Sequence, residues 1–403
     1  MGCRATRHTQ TFRRQAQGEN GRVAAVIIPA SLLELADQRS AEGEQNRSLH
    51  PDVFNALVES GMLRGWVAEE FGGRAVSVTE VLSEIEAVSV ADGAAGWSVM
   101  IGNTTALNSH RLPTEWAEHI YRDPLGCTGG FGMPTAIGTV VDGGLSVTGR
   151  WSWGSGTDHC TFIGGGVRIV DESGESARTP DGASTPFVYF EPDQIELLDT
   201  WHVVGLKGTA STDYSVTDAF VPSGRWTQLV GNESLIDTTL GRFPFFSALA
   251  CGVAAVTIGL GVRAINEVIA LGERKFAGSS TAMASRAPAQ ADLAMAIASV
   301  GQARSYLHEA ANRVWDQIAE GGEAADAQRV ELRIAAASAA QRSVEAVDLC
   351  YHAVGGAAVF ESSPLQRVFR DVQVAITHGM INPRIFEPLG RFHFGLPTNT
   401  QLF

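Results

Sequence analysis

The sequence lacks several features that would each indicate a particular class of protein. Its five cysteines are scattered, without a Cys-x-x-Cys pair or zinc-type spacing to histidine, which argues against a disulfide scaffold and a structural metal site. No Gly-x-Gly-x-x-Gly fingerprint opens a helix after a strand, so we expect no bound NAD(P)H. Basic residues number 30 against 44 acidic ones, and the net charge of -14 disfavours nucleic acid as a partner. The expected location is a reducing cytoplasm.

One uncharged stretch, residues 243–262, is long enough to cross a bilayer. It is rich in glycine and alanine and has no aromatic belt, a composition that favours a helix buried on all sides. We therefore expect no membrane partner. Residues 1–25 carry no long apolar run, and we expect a disordered extension rather than a secretory signal.

The spacing of apolar residues divides the remaining chain into three predicted domains. Helical spacing runs through residues 26–121, alternating strands separated by Asp/Gly turns occupy 122–230, and helical spacing returns in 231–403. The predicted class is α+β. Four long helices are predicted in the last domain, and such lengths favour an antiparallel bundle; they cover residues 245–277, 290–321, 325–354 and 364–377.

Motifs in the second and third domains resemble those of a known family. The phrase Val-Thr-Gly-Arg-Trp-Ser-Trp-Gly-Ser-Gly-Thr-Asp-His fills residues 147–159. Trp201 follows, with Gly-Leu-Lys-Gly-Thr-Ala-Ser-Thr-Asp at 205–213 and Val-Pro at 221–222. The last helices add Gly-Gly at 355–356, Ser-Pro-Leu-Gln-Arg at 363–367, Arg-Asp at 370–371 and then His378. From about residue 26 onward, the chain resembles the acyl-CoA dehydrogenase superfamily. Within it, the motifs are similar to the branch of two-component, reduced-flavin-dependent (group D) monooxygenases, such as the oxygenase component of hydroxyphenylacetate hydroxylase, dibenzothiophene monooxygenase and the amino-sugar N-oxygenases.

This resemblance implies a fold and a function. The expected fold is acyl-CoA dehydrogenase-like, with an N-terminal helical domain, a central antiparallel β-barrel and a C-terminal four-helix bundle. The expected enzyme takes FMNH2 or FADH2 from a separate flavin reductase, forms a C4a-hydroperoxyflavin with O2, and hydroxylates or N/S-oxygenates an aromatic, heteroaromatic or amine small molecule. A homotetramer is implied, because the family completes its flavin site across subunits, and secondary metabolism is the expected context.

The main alternative is an acyl-CoA dehydrogenase with FAD and a displaced base. Such an enzyme needs a carboxylate to remove an α-proton. The family commonly places it in a Tyr-Glu-Gly-Thr phrase, but here Gly379 stands where the Glu would be. The other customary position is the first long C-terminal helix, where residues 243–262 contain no ionisable side chain except Cys251. Glu361 is the nearest spare carboxylate in sequence. A non-catalytic protein with the flavin-binding fold is the second alternative.

Two residues are the candidates for catalysis. By resemblance, Ser155 occupies the position of the family's serine beside flavin N5, and His378 that of its flavin-side histidine, which can donate a hydrogen bond or proton to the departing oxygen. Taken alone, Ser155 could be a turn residue that bonds its own backbone, and His378 a helix C-terminal histidine.

The remaining candidates come from the same resemblance. Three residues lie where family members place the isoalloxazine ring, and two tryptophans on the next strand are candidates for its wall, although core packing explains each equally well: Phe131, Met133, Thr135, Trp151 and Trp153. Arg274, Phe276 and Gln290 resemble the residues with which a neighbouring subunit holds the flavin phosphates, although a solvent-facing arginine explains Arg274 equally well. Gly355 and Gly356 could let the backbone approach a phosphate, although a helix-ending turn explains them equally well. Thr105 matches the position of a substrate-contacting histidine in phenol hydroxylases, and His110 lies five residues later. Arg367, Arg370 and Asp371 are expected to form ion pairs between helices or subunits.

Overall fold

The computed structural model describes residues 28–231, 233–275 and 280–403. The predicted extension, residues 1–25, lies outside the described residues. The first helices of the described chain are α1 (Ala30–Asn46), α2 (Pro51–Glu59), α3 (Val78–Ala91), α4 (Gly93–Ala106) and α5 (Thr114–Tyr121). The strands follow as β1 (Thr128–Val141), β2 (Gly144–Trp151), β3 (Phe162–Val170), β4 (Phe187–Phe190), β5 (Glu196–Leu198), β6 (Asp213–Pro222) and β7 (Trp226–Thr227). The last helices are α6 (Thr239–Arg242), α7 (Phe245–Ala270), α8 (Ala287–Ala319), α9 (Asp326–Val354), α10 (Pro364–Ala375) and α11 (Phe386–His393).

Helices α3 and α4 meet at a sharp corner. A capping box begins α3, in which the Ser77 N–H donates to the Glu80 carboxylate at 2.9 Å and the Glu80 N–H donates back to the Ser77 hydroxyl. Asp92 ends α3 and caps α4 by accepting from the Ala94 and Ala95 N–H groups. Almost every residue of α4 is buried, since the helix contacts β1 on one side and α7 on another. Side chains on α4 can therefore reach both the sheet and the C-terminal helices.

The strands form one seven-stranded mixed sheet with the order β5-β6-β2-β1-β3-β4-β7. The sheet is open, with β5 and β7 at its edges, and β1 and β3 run parallel while the other pairs are antiparallel. The prediction of an antiparallel barrel is therefore wrong on both points. After β2 the chain crosses β1 to reach its other side. Residues 152–161 make this crossing, which a period-two pattern does not reveal because it carries no information on strand neighbours.

The C-terminal helices agree closely with the predicted ranges. Helix α7 begins at the predicted residue but ends seven residues early, at Ala270, where a turn that includes Gly272 leads towards α8. Among the described residues, one helix, α7, is long and apolar enough to span a membrane. However, 78% of its most apolar stretch is buried inside the protein. It packs against α3, α4, α9 and α10, so the N-terminal and C-terminal helices share one core.

Candidate active site

Trp97 of α4 lies between the two residues predicted to be catalytic. Its indole Nε1–H donates a hydrogen bond of 3.0 Å to the Oγ atom of Ser155, in the crossing after β2. Its ring meets the imidazole of His378 edge-on, with 5.6 Å between the ring centroids. The structure thus brings Ser155 and His378 to one place, and the residue that joins them is one that the sequence did not single out.

The turn that carries Ser155 is fixed by its neighbours in the Trp-Gly-Ser-Gly phrase. A Cβ atom at Gly154 would lie 2.6 Å from the Tyr214 ring, so only glycine fits there. Gly156 adopts a φ of +77°, which favours glycine. The Ser155 backbone pairs with Gly130 of β1 in an isolated antiparallel bridge. The glycines of the motif therefore place the Ser155 hydroxyl against the sheet.

A chain of hydroxyl groups begins at Ser155. Its Oγ atom lies 2.7 Å from Ser211 Oγ, which lies 2.8 Å from Thr209 Oγ1. Thr209 donates to the Leu206 carbonyl oxygen at 2.9 Å. Because this last bond uses the Thr209 hydrogen, each earlier hydroxyl donates to the next, and Ser155 donates to Ser211. Ser155 accepts from Trp97 and keeps one lone pair to accept from another N–H group.

His378 lies in the turn that follows α10. Its Nδ1 atom accepts a hydrogen bond of 3.3 Å from the Met380 N–H, so the neutral ring carries its proton on Nε2. Burial lowers the pKa of His378 to about 4, and the charge of Arg333 lowers it further in the same direction. At neutral pH the residue is therefore an uncharged donor through Nε2–H.

An apolar surface lies beside Ser155. Trp153 is 62% exposed and Met133 is 58% exposed, which is unusual for such large apolar side chains. The Phe131 ring meets the Trp153 ring at 5.8 Å, and the Phe131 N–H donates to the Tyr214 hydroxyl at 3.0 Å. Trp153 has a φ of +60°, which turns it out of the line of β2. Phe131 and Trp153 are in contact, and the exposed Met133 lies two residues further along β1, so together they offer apolar area to a flat aromatic group.

The prediction that Trp151 contacts the cofactor is wrong. Trp151 is fully buried, its indole N–H donates to the Gly166 carbonyl at 2.8 Å, and its ring stacks on Tyr214 at 5.0 Å. The two tryptophans of the motif differ because the strand ends at Trp151. Of the pair, Trp153 is the one that can contact a ligand.

The residues proposed for the flavin phosphates lie on the surface. Arg274 and Gln290 are exposed and flank the connection from α7 to α8, where Gln290 donates to the Ala284 carbonyl at 2.8 Å. Phe276 lies outside the described residues. Gly355 ends α9 with a φ of +64°, and Gly356 is exposed. Thr135 is also exposed, and its hydroxyl donates to the Arg150 carbonyl at 2.9 Å.

His110 is a core residue, and the prediction that it contacts the substrate is wrong. It is fully buried, and its ring nitrogens face the Trp66 carbonyl at 3.3 Å and the Thr238 hydroxyl at 3.2 Å. Burial lowers the pKa of His110 to about 4. Thr105 is also buried, and its hydroxyl donates to the Thr128 carbonyl at 2.7 Å, which joins α4 to β1.

No carboxylate of the described chain makes a hydrogen bond or ion pair with Ser155, Trp97 or His378. Glu361 is exposed, on the loop before α10. Asp371 is buried, but its carboxylate accepts from the Leu206 N–H at 2.5 Å.

Two arginines of α10 are tied to α1. Arg370 pairs with Glu44 at 2.6 Å, and Arg367 donates to the Ser40 hydroxyl at 2.7 Å. These contacts agree with the expected role in joining helices.

Both customary positions of a dehydrogenase base are without a carboxylate. Gly379 follows His378, and the one ionisable group in the first stretch of α7 is the buried thiol of Cys251.

Comparison with known proteins bears on the family of the chain. The family model described as "Acyl-CoA dehydrogenase, C-terminal domain" matches residues 251–383. The chain is 29% identical to an indole-3-acetate monooxygenase of Pseudomonas putida, over 91% of this chain and 92% of the relative. It is 28% identical to a pigment production hydroxylase of Rhodococcus sp., over 92% and 96% of the two chains. Residues 251–383 thus match the acyl-CoA dehydrogenase family that the sequence motifs resemble. Both relatives are named for oxygenation rather than dehydrogenation, and the predicted resemblance to the monooxygenase branch is confirmed.

Several solved structures share the fold over almost the whole chain. The 3-HSA hydroxylase from Rhodococcus sp. RHA1 has a TM-score of 0.85 and 24% identity, covering 92% of this chain and 97% of that one. XiaF from Streptomyces sp., in complex with FADH2 and glycerol, has a TM-score of 0.84 and 26% identity, covering 91% and 96%. TdsC from Paenibacillus sp. A11-2, in complex with FMN and indole, has a TM-score of 0.77 and 16% identity, covering 92% and 97%.

Proposed function

We propose that this chain is the oxygenase component of a flavin-dependent monooxygenase, which receives reduced FMN or FAD from a separate reductase. The observation that supports this most is the grouping of Ser155, Trp97 and His378 where no described carboxylate makes contact. A dehydrogenase of this fold requires a carboxylate base to remove a proton from carbon. A neutral imidazole beside a buried hydroxyl instead suits an enzyme that must hold protons near a reacting oxygen.

The described residues fit a flavin ring. Phe131, Met133 and Trp153 present apolar and aromatic area next to Ser155, and an isoalloxazine ring resting on them would bury it. When bound, a reduced flavin supplies the electrons that activate O2 and delivers one oxygen atom to the substrate. Relatives of this fold hold FADH2 in one case and FMN in another, so either flavin is consistent with the fold.

Ser155 and His378 then have distinct tasks. The free lone pair of the Ser155 oxygen accepts a hydrogen bond from a ring N–H, which keeps that proton in place. The Nε2–H of His378 donates towards a bound oxygen atom without carrying a charge. Trp97 holds both side chains and excludes water from the space between them. Exclusion of water limits wasteful release of hydrogen peroxide.

The proposed substrate is an aromatic or heteroaromatic small molecule, with an amine as the less favoured class. Two observations support an aromatic one. The surface beside Ser155 consists of aromatic and thioether side chains, which pack well against flat rings. The relatives with the same fold include an indole-3-acetate monooxygenase, and TdsC was solved with indole.

We further propose a cytoplasmic homotetramer with domains at residues 26–121, 122–230 and 231–403. Helices α7 to α10 would be the four-helix bundle of this fold. Arg274, Gln290 and the glycines at 355–356 lie on the surface, where a neighbouring subunit could bring them to the flavin phosphates. Phe276 would join them. Neither a membrane nor a nucleic acid is a proposed partner.

Turnover in ¹⁸O2 tests the proposed activity. The full-length chain is mixed with reduced FMN or FAD from an added flavin reductase, with indole-3-acetate as the first substrate and catalase present. The expected result is a product that carries one ¹⁸O atom and forms only when protein, reduced flavin and O2 are all supplied. Purified protein that is yellow, and that reduces an artificial electron acceptor with an acyl-CoA in the absence of O2, would overturn the proposal in favour of a dehydrogenase.

A further inference from the structure

Arg333 is a buried cation close to the candidate active site. It lies on α9, and its side chain is 1% exposed. Its Nη2 group donates to the Met380 carbonyl at 2.9 Å, and Nη1 donates to the Leu402 carbonyl. Its Nε atom is buried without a hydrogen-bond partner, and no carboxylate of the described chain pairs with it. A buried charge of this kind costs stability, which suggests that the residue has a role beyond packing.

The contacts of Arg333 lead directly to His378. Arg333 holds the carbonyl of Met380, and the N–H of the same residue donates to Nδ1 of His378 at 3.3 Å. The two hydrogen bonds meet at one backbone residue, so the position of Met380 depends on the guanidinium. If Met380 moves, Nδ1 loses its donor, and the imidazole is then free to place its proton on either nitrogen.

We propose that Arg333 is a positioning residue that fixes the Nε2–H tautomer of His378 through the backbone of Met380. The inference deepens the proposed function, on which its catalytic meaning rests, since a donor at Nε2 is what the reacting oxygen would require. Arginine suits the task better than lysine because its planar fork can reach two carbonyls on separate segments.

The charge of Arg333 supports the same role. Two titratable groups face it, the Cys251 thiol from α7 and the His378 ring from the turn after α10. Burial raises the pKa of Cys251 to about 12, so this thiol is neutral and does not balance the guanidinium. Burial and then the Arg333 charge hold the pKa of His378 near 4, which keeps its ring neutral.

NMR of the flavin-free, full-length protein with ¹⁵N- and ¹³C-labelled histidine rings tests the proposal. The His378 signals are identified by their absence in His378→Gln. In the wild type we expect one neutral species with the proton on Nε2. In Arg333→Met we expect both tautomers and a His378 pKa that rises above about 4 but stays below 6.5, because burial, the larger cause of its lowering, remains. In Arg333→Lys, the retained charge keeps the pKa low, while loss of the fork allows both tautomers.

Arg111→Met is the matched control. Arg111 is also buried, at 7% exposure, and it also donates to backbone carbonyls, those of Leu107 and Gly241. It makes no contact with His378, so the His378 signals should not change. A wild-type ring protonated on Nδ1, or an unchanged ring in both Arg333 variants, would overturn the proposal. If Arg333→Met does not fold, the proposal is tested by the tautomer of His378 in the wild type and in Arg333→Lys. Because no flavin or substrate is present, these results are independent of whether the chain is a monooxygenase.

Discussion

Trp97 of helix α4 donates its indole hydrogen to the hydroxyl of Ser155, in the crossing after β2. The two residues are 58 positions apart in the chain. Helix α4 brings Trp97 to this point because it contacts both β1 and α7. One side chain thereby connects the Ser155 hydroxyl to the edge of the His378 ring. The predictions below follow from this grouping and from the burial of the groups around it.

Replacing Trp97 with phenylalanine should remove the hydrogen bond to Ser155 and leave an aromatic ring in place. A neutral hydrogen bond contributes about 1 kcal/mol to stability. Trp66→Phe is the control, because Trp66 is fully buried and its indole N–H has no partner. Urea denaturation should show Trp97→Phe to be less stable than Trp66→Phe by about that amount. Equal midpoints would mean that the Trp97–Ser155 bond contributes nothing.

The two tryptophans of the central motif should respond in opposite ways to alanine. Trp151→Ala creates a cavity in the core and should destabilise the protein by about 3–5 kcal/mol. Trp153→Ala should cost little stability, since Trp153 is 62% exposed, but it should weaken the binding of reduced flavin. Thermal denaturation and anaerobic flavin titration measure the two effects. Normal flavin affinity in Trp153→Ala would remove Trp153 from the proposed surface.

The bounds of the long helices and two residues of the candidate site could be predicted from the sequence. Continuous helical spacing predicts α7 to α10 within a few residues, except at the end of α7, because long amphipathic or fully apolar helices have the clearest periodicity. The phrase at 147–159 identified Ser155, and the helix after Pro364 led to His378. Both lie in motifs whose order along the chain is itself informative.

Strand order and side-chain direction could not be predicted from the sequence. The crossing from β2 to β3 is invisible to an alternating pattern, which predicts antiparallel strands throughout although β1 and β3 run parallel. Trp151 and Trp153 are two residues apart, a spacing that places them on one face of a regular strand, but the positive φ of Trp153 ends the alternation. The sequence pattern did not single out Trp97. Helix α4 is buried on nearly all sides, so no face of it is distinguished by its apolar residues.

His110 should make the protein less stable in mild acid. Its pKa of about 4 in the folded state is below the ordinary value of 6.5, so its contribution is present above pH 6.5 and is lost as pH falls towards 4. The size of the effect is at most about 3 kcal/mol. His110→Gln should lose less stability than the wild type between pH 7 and pH 4.5 in urea denaturation. An identical loss in both proteins would contradict the assignment of a low pKa to His110.

Asp371 should have the opposite pH dependence. Burial raises its pKa from 3.8 to about 7, so its contribution to stability is full below pH 3.8 and is lost as pH rises through 7. Asp371→Asn keeps an oxygen to accept from the Leu206 N–H and carries no charge. At pH 8 the variant should be more stable than the wild type, by about 4 kcal/mol at most. The gain should disappear below pH 4, and a gain that is constant across this range would argue against a titrating Asp371.

The ratio of oxygenated product to O2 consumed, in wild type and Ser155→Ala, tests most directly whether the Ser155 hydroxyl protects an oxygenation reaction from loss as hydrogen peroxide. Removal of the hydroxyl should lower this ratio about 10²-fold, because a group that holds a proton during reaction typically contributes that much. Hydrogen peroxide should rise in compensation. Ser343→Ala is the control, since this buried hydroxyl bonds only its own helix, at the Ala339 carbonyl. An unchanged ratio in Ser155→Ala would contradict the proposed role of the site.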